Sequence, residues 1–417
     1  LNNMLIYTHD LGYHLNRIMQ ISKNLDIGVF PSLIHSGLLH NLGYANSLFY
    51  PEIFIYIPAI LMSIFHFHVL TVYKIFLIMI TFFTFITTYI STKGIFKKKS
   101  VAWLASLLYV FALYRLTDIY VRGALGEILS FIFIPLIFYG LYEIIFGENK
   151  KWWIISIALF GIANSHVLTF AMLIPIILLI CLFNSDKIFK DKKKLLNLFI
   201  AAGVAVVLCI GFFIPMFEQK LNDKFYIDGQ TIESSEVVKE RSLSLSMMLG
   251  SNIKSGYAVD SSTRNDGMSE GIGAILLILA GLILCRKGLN YKENRFEIQL
   301  FVLGVFSYFM TTKFFPWEWF KFLNVLQFAF RLNFIPTICF TLVGAHSFYE
   351  VVTNKRDSVI ILSVVILLVS GYVLSSVNLN FNPDIYHSFN VLVDFPNEIG
   401  NSEYLPVNTD LEDLELY

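Results

Sequence analysis

Charge is scarce in this sequence. Asp, Glu, Lys and Arg make up 15% of its 417 residues, against roughly a quarter in soluble globular chains. Neither sign prevails, since 31 basic residues meet 31 acidic ones, so the positive field that nucleic-acid binding requires is missing. The four cysteines, Cys181, Cys209, Cys285 and Cys339, all lie inside apolar runs and offer no disulfide framework. Neither G-x-x-x-x-G-K-[ST] nor G-x-G-x-x-G occurs, which leaves no legible cradle for ATP or a dinucleotide. His9, His35, His40, His66 and His68 lack the ligand spacing of a structural zinc site. The alternation of a membrane β-barrel is absent as well.

Apolar residues take the place of charge. They make up 56% of the chain, with 40 Phe and 21 Tyr among them, and mean hydropathy is +0.65. That composition excludes a soluble enzyme and a disordered chain. The fold class it implies is all-α: a polytopic helical membrane protein. Apolar runs near 69–91, 100–116, 127–146, 152–165, 167–183, 195–215, 271–285, 296–312, 328–349 and 358–377 predict about ten spans. The chain opens at Leu1 and stops at Tyr417 soon after a polar region begins. It reads as a fragment whose first span precedes Leu1.

Lys and Arg set the orientation. Seventeen of the 31 basic residues fall in five short loops, 92–99, 147–151, 184–194, 286–295 and 350–357, whereas 378–417 holds none against eight Asp and Glu. Ten alternating spans place all five loops in the cytoplasm. Segment 48–67 is also apolar, but counting it as a span would break this alternation, and it contains Pro51, Glu52 and Pro58. It is expected to lie in the interface. The organisation is then an external loop 1–68 with interfacial helices, a transmembrane domain 69–377 that includes external loop 216–270, and the start of an external C-terminal domain at 378–417.

Chemistry is expected on that external face of the cell membrane. Asp10, His14 and Arg17 in THDLGYHLNRI share a helical face by their spacing. A carboxylate beside an imidazole and a guanidinium can take a proton while the cation holds a phosphate. The same spacing also suits a capping Asp with an ion pair on a solvated helix. Arg115, Asp118, Arg122 and Glu127 crowd into YRLTDIYVRGALGE, between two apolar runs. Such charges are costly unless paired or used, and snorkelling to headgroups is the structural alternative. Lys74 and Arg331 lie near external ends of spans, and His166 in NSHVLT marks an external turn; each fits a substrate path or a plain interfacial role.

Taken together, THDLGYHLNRI, GVFP, NLGYANSLFYP, YRLTDIYVRGALGE, NSH, LQFAFR and EYLP resemble a bacterial family of integral membrane proteins. These are the "6-pyruvoyl-tetrahydropterin synthase-related" membrane proteins, similar to YfhO-like proteins and to the GT-C superfamily of membrane glycosyltransferases. No three-histidine pterin-enzyme site is legible here. The GT-C resemblance implies a polyprenyl-phosphate-linked sugar donor, an acceptor in the envelope (a glycan or glycopolymer), and an acid in the first external loop acting as base or divalent-metal ligand. By position Asp10 matches that acid. Asp118, Arg122 and Glu127 match the second-loop motif, and His14, Arg17, His166 and Arg331 the lesser ones. Ala45 and Glu52 replace expected prolines, and Ala329 and Phe330 replace an expected Pro-Trp pair. The competing functions are a transporter or flippase of lipid-linked sugars or envelope polymer, and a non-catalytic scaffold.

Overall fold

The computed structural model describes residues 4–6, 8–230, 233–250, 253, 271–380, 386–388, 399 and 402–410. Among them helix predominates, as the composition implies. A short strand β1 (Met4–Ile6) leads into α1 (Leu11–Asp26), followed by α2 (Tyr56–Phe65), α3 (Val69–Phe96), α4 (Lys99–Val110) and α5 (Leu113–Thr117). Next come α6 (Leu125–Ile145), α7 (Trp153–Ala163), α8 (Val167–Phe183), α9 (Ser185–Lys190) and α10 (Lys192–Asn222). Three short helices, α11 (Tyr226–Gln230), α12 (Ser235–Glu240) and α13 (Leu245–Leu249), precede α14 (Ala274–Gly281). The chain continues through α15 (Arg295–Met310), α16 (Phe334–Val351) and α17 (Lys355–Asn380) to strand β2 (Tyr386–Ser388).

Every apolar run expected to span is helical. Among the described residues six stretches are long and apolar enough to cross a membrane: 69–96, 99–122, 125–145, 192–222, 329–351 and 355–375. The helices at 153–163, 167–183, 274–285 and 295–310 are shorter. Segment 48–67 forms no single long helix, because only ten of its residues, Tyr56–Phe65, join α2. That is half the length a span requires.

Sequence explains how these helices pack. On α3 the buried residues Tyr73, Phe76, Ile80, Thr84, Thr88, Ser91 and Ile95 recur every three or four positions, which is one helical face. Thr84 and Thr88 return their hydroxyls to carbonyls four residues back, each at 2.7 Å, so small polar side chains are satisfied while neighbouring helices approach. The opposite face carries exposed Ile78, Phe82 and Ile90, and α10 and α17 expose Val206, Val207, Ile361 and Leu368 likewise. Apolar surface on that scale suits lipid rather than water. Helix α3 packs on α4 and α6, α6 on α7, and α16 on α4, α14 and α15.

The five basic loops gather at one end. Lys98 pairs with Glu350, and Glu297 joins His346 at 3.0 Å and Arg286 at 2.6 Å. Arg295 reaches Asp186 at 2.7 Å, and Asn197 bonds the Asn149 carbonyl at 2.9 Å. The opposite end holds the residues singled out for chemistry.

Candidate functional site

The π-helical turn Asp118–Arg122 connects α5 to α6. Extra-wide turns of this kind open a helix and recur at functional sites. Gly123 ends it at φ +66, a left-handed conformation that glycine adopts without a Cβ clash. A Cβ there would also overlap Thr8 Oγ1. The carbonyls that the turn leaves open are taken by the first loop. His9 N–H donates to Val121 O at 3.1 Å, and Asp10 N–H to Arg122 O at 2.9 Å. Two motifs over a hundred residues apart therefore meet backbone to backbone, and Asp10 is seated against the arginine motif.

Asp10 opens α1 and is exposed. Even so, the surrounding protein desolvates its carboxyl and raises its pKa from 3.8 to about 6. Arg122 and Arg331 oppose the shift, while Glu127 and Glu403 reinforce it.

Arg122 is the hub of the pairing. Its two terminal nitrogens fork onto Glu127, each at 2.8 Å, and one also bonds Asp118. Tyr114 donates to Glu127 at 2.9 Å, and Arg331 Nε stands 3.7 Å from the same carboxylate. Asp118, Arg122 and Glu127 are all buried. Phe330 lies under the Arg122 guanidinium at 5.0 Å and Phe328 under Arg331 at 5.2 Å, which places both ends of LQFAFR against the site. Arg331 donates to Leu326 O at 3.0 Å and Gln327 Oε1 at 2.9 Å, and its Nε has no hydrogen-bond partner among the described residues. Of the two arginines, Arg331 keeps more donor capacity for an outside anion. Arg122 is committed to carboxylates.

A column of rings closes the other side. The His14 and Tyr50 centroids are 6.2 Å apart, and Tyr50 and His166 are 6.3 Å apart. His166 Nδ1 accepts from Thr169 N–H at 3.3 Å and so caps α8. Burial lowers the His166 pKa to about 4, aided by Arg331 and Arg122 and opposed by Glu127. Burial, then Arg17 and His166, take His14 well below the usual imidazole range. Both rings are neutral at physiological pH. Gly126 completes the contact, since a Cβ there would come 2.5 Å from the Tyr50 hydroxyl.

Arg17 has a different part from the phosphate ligand its spacing suggested. It is buried and bonds Glu52 at 3.1 Å and Pro51 O at 2.7 Å, with its guanidinium 4.3 Å over Tyr50. Glu52 also accepts from Asn46 at 2.8 Å and from Ser47, and meets His35 at 3.2 Å. This network ties segment 35–52 to α1 and gives a use to Glu52, where the family resemblance would have proline. Burial alone would raise the Glu52 pKa, but His35, Arg17 and Ser47 outweigh it and hold the carboxyl at about 2. The unfolded value is about 4.3. The stabilisation is therefore complete above the unfolded pKa and is lost as pH falls through about 2. Proteolysis of segment 35–52 in membranes should stay slow at pH 4 in the wild type. In Glu52→Ala it should be fast at every pH, because Arg17 loses its counter-charge at a cost of about 3–5 kcal/mol.

Lys74 lies half-buried on α3. Sequence reasoning missed Tyr50, Tyr114 and Glu403. Tyr114 and Glu403 stand inside singled-out motifs, YRLTD and EYLP, but carry no spacing signal. Among the described residues no three His, Cys, Asp or Glu side chains converge as a divalent cation requires.

An apolar cleft runs beside the site. Leu108 and Phe111 from the end of α4, Leu113 and Leu116 of α5, and Ile366 and Val373 of α17 line it, together with residues 272–276. Helix α5 thus faces the cleft with Leu113 and Leu116, and the charged site with Tyr114.

The fold and site define a helical protein with membrane-spanning apolar helices and a buried Arg–carboxylate centre at one end. By sequence, residues 3–373 match a family of unknown function, DUF6541, and the chain belongs to it. No curated protein matches the chain.

Proposed function

We propose that the protein is a GT-C-like membrane glycosyltransferase with about ten spans, which moves a sugar from polyprenyl phosphate to an envelope acceptor on the outer face. The observation that carries this reading is Asp10, an accessible carboxylate flanked by Arg122 and Arg331 at the end of the bundle away from the basic loops. By the positive-inside rule that end faces outward. The apolar cleft beside α5 suits an isoprenoid chain, because Leu, Ile, Val and Phe side chains of α4, α5 and α17 line it. α2 exposes Ile57, Ile60 and Ile64 along one face, as a helix resting in the headgroup layer would.

The chemistry follows from the groups present. Asp10 takes the proton of an acceptor hydroxyl, the hydroxyl oxygen bonds the anomeric carbon, and the bond from that carbon to phosphate oxygen breaks. The polyprenyl phosphate leaves with the electron pair, and Arg331 holds its charge. A carboxyl pKa near 6 makes Asp10 a stronger base than an ordinary aspartate while it remains ionised at neutral pH. His166 and His14, being neutral, add no competing cation.

One feature favours the transporter reading. The helix formed by 99–122 breaks at Phe111–Ala112, and Arg115 beyond the break is fully buried, held by Val110 O at 2.9 Å and Thr81 at 3.0 Å. Broken helices with buried charge are common in transporters. Donor binding tests the transferase site. Arg331→Lys should weaken binding of polyprenyl phosphate in nanodiscs about 10-fold, with folding unchanged, because the fork is lost and the charge kept. Unchanged affinity would remove Arg331 as the phosphate ligand.

A further inference from the structure

The segment between α10 and α14 sends one arginine to the site. Helix α12 begins after Ser234, whose hydroxyl accepts from Val237 N–H at 3.2 Å and so satisfies one open donor of its first turn. The helix is docked on the segment that precedes α16. Asn324 donates to the Ser235 hydroxyl at 3.0 Å, Lys239 reaches Glu318 at 2.7 Å, and Val238 is buried between them. Just past the helix, Leu243 N–H donates to Thr311 O at 2.9 Å and Lys313 N–H to Leu243 O at 3.3 Å. Arg241 lies between these two anchors, its own N–H bonded to Val237 O at 3.1 Å. Its backbone is fixed on both sides.

The Arg241 guanidinium stands 4.9 Å from the centre of the Phe328 ring, the same ring that Arg331 covers at 5.2 Å. Phe328 meets Phe330 at 5.1 Å, and Phe330 carries Arg122 at 5.0 Å. Contacts therefore run from the Arg122 centre through two phenyl rings to Arg241. A ring attracts each cation, but two cations on one ring repel each other. Arg241 has Glu233 at 3.0 Å, and Arg331 has Glu127 at 3.7 Å, a carboxylate onto which Arg122 already forks. Donor capacity is left over on both. Among the described residues neither Nε makes a hydrogen bond, and such an unmet buried donor costs about 1–3 kcal/mol. The side chains keep 16% and 17% exposure, so an anion from outside can reach them.

We propose that Arg241 is a second anion-binding residue of this site, which together with Arg331 across Phe328 takes the phosphate headgroup of a lipid-linked sugar. The headgroup is the single phosphate of a polyprenyl phosphate or the paired phosphoryl groups of a polyprenyl diphosphate. Both offer the free oxygens that guanidinium forks match. The proposal rests on the transferase reading only for the identity of the lipid carrier.

Binding of short polyprenyl phosphate and short polyprenyl diphosphate to the protein in nanodiscs tests it, with the uncharged polyprenol as control. Arg241→Gln should weaken binding of phosphorylated lipid about 10-fold and leave polyprenol binding unchanged. Weakening of both lipids assigns Arg241 to the phosphate that esterifies the chain, and weakening of the diphosphate alone assigns it to the second phosphoryl group. Glu233→Gln removes the ion pair but keeps the cation, so it should bind at least as tightly as the wild type. A merely structural Arg241–Glu233 pair would instead make Glu233→Gln as weak as Arg241→Gln. Unchanged affinity for both lipids in Arg241→Gln overturns the proposal. If that variant does not fold, unchanged affinity in Arg241→Lys, which keeps the charge and loses the fork, does the same. Phosphate-dependent binding that Arg241→Gln weakens, in a protein that transfers no sugar, defeats the transferase reading and leaves the two-arginine site standing.

Discussion

Asp10→Asn is expected to lower sugar transfer by about 10²–10⁴-fold with no loss of folded protein. The amide keeps the size and much of the hydrogen bonding of the carboxylate but cannot take the acceptor proton. Folding should tolerate the change because the backbone, through Asp10 N–H to Arg122 O and Asp10 O to His14 N–H, holds the residue in place. The side chain itself is exposed. The pH dependence carries the same signature. With the carboxyl at about 6, the basic form prevails above that value, so wild-type turnover should fall about tenfold per unit of pH below it. Residual Asp10→Asn turnover should lack this limb. A variant that transfers as fast as the wild type would exclude Asp10 as base.

Arg122→Met should act on the fold. Arg122 is the bonded cation for both Asp118 and Glu127, and removing it strips buried Asp118 of its partner and leaves Glu127 only Arg331, at 3.7 Å. Breaking a buried pair from one side costs about 3–5 kcal/mol. The carbonyls of Val121 and Arg122 that receive the first loop lie on the same turn, so the seat of Asp10 should loosen as well. In detergent, Arg122→Met should unfold at markedly lower temperature and lose activity, whereas Arg122→Lys should keep most of the stability. Wild-type stability in Arg122→Met would mean that the two acids are protonated in the folded state and the arginine is dispensable.

Those contrasting outcomes trace what a sequence can and cannot disclose. The apolar runs were legible because burial in lipid writes itself along the chain as length and hydropathy, and each of them is a helix. Helix lengths were less legible. Residues 153–163 and 274–281 stop short because Asn164, Ser165 and the glycine and arginine at 281 and 286 interrupt them. The motif 114–127 announced itself because charge between apolar runs is costly, and it is the centre of the site. The partner of Arg17 was hidden, since Glu52 lies 35 positions away and no helical spacing links them. The stitching of residues 403–407 to 224–227 was hidden for the same reason. Spacing reveals neighbours on one helix, and the rest of this site is made by tertiary pairing.

The central claim is that this end of the bundle transfers a sugar. Purified protein in proteoliposomes, supplied from outside with a radiolabelled sugar on a short polyprenyl phosphate and with envelope glycan, tests it directly. Label is expected on the glycan, with free polyprenyl phosphate in equal amount and loss of both products in Asp10→Asn. Movement of the intact lipid-linked sugar to the inner leaflet, with no label on the glycan, would contradict it.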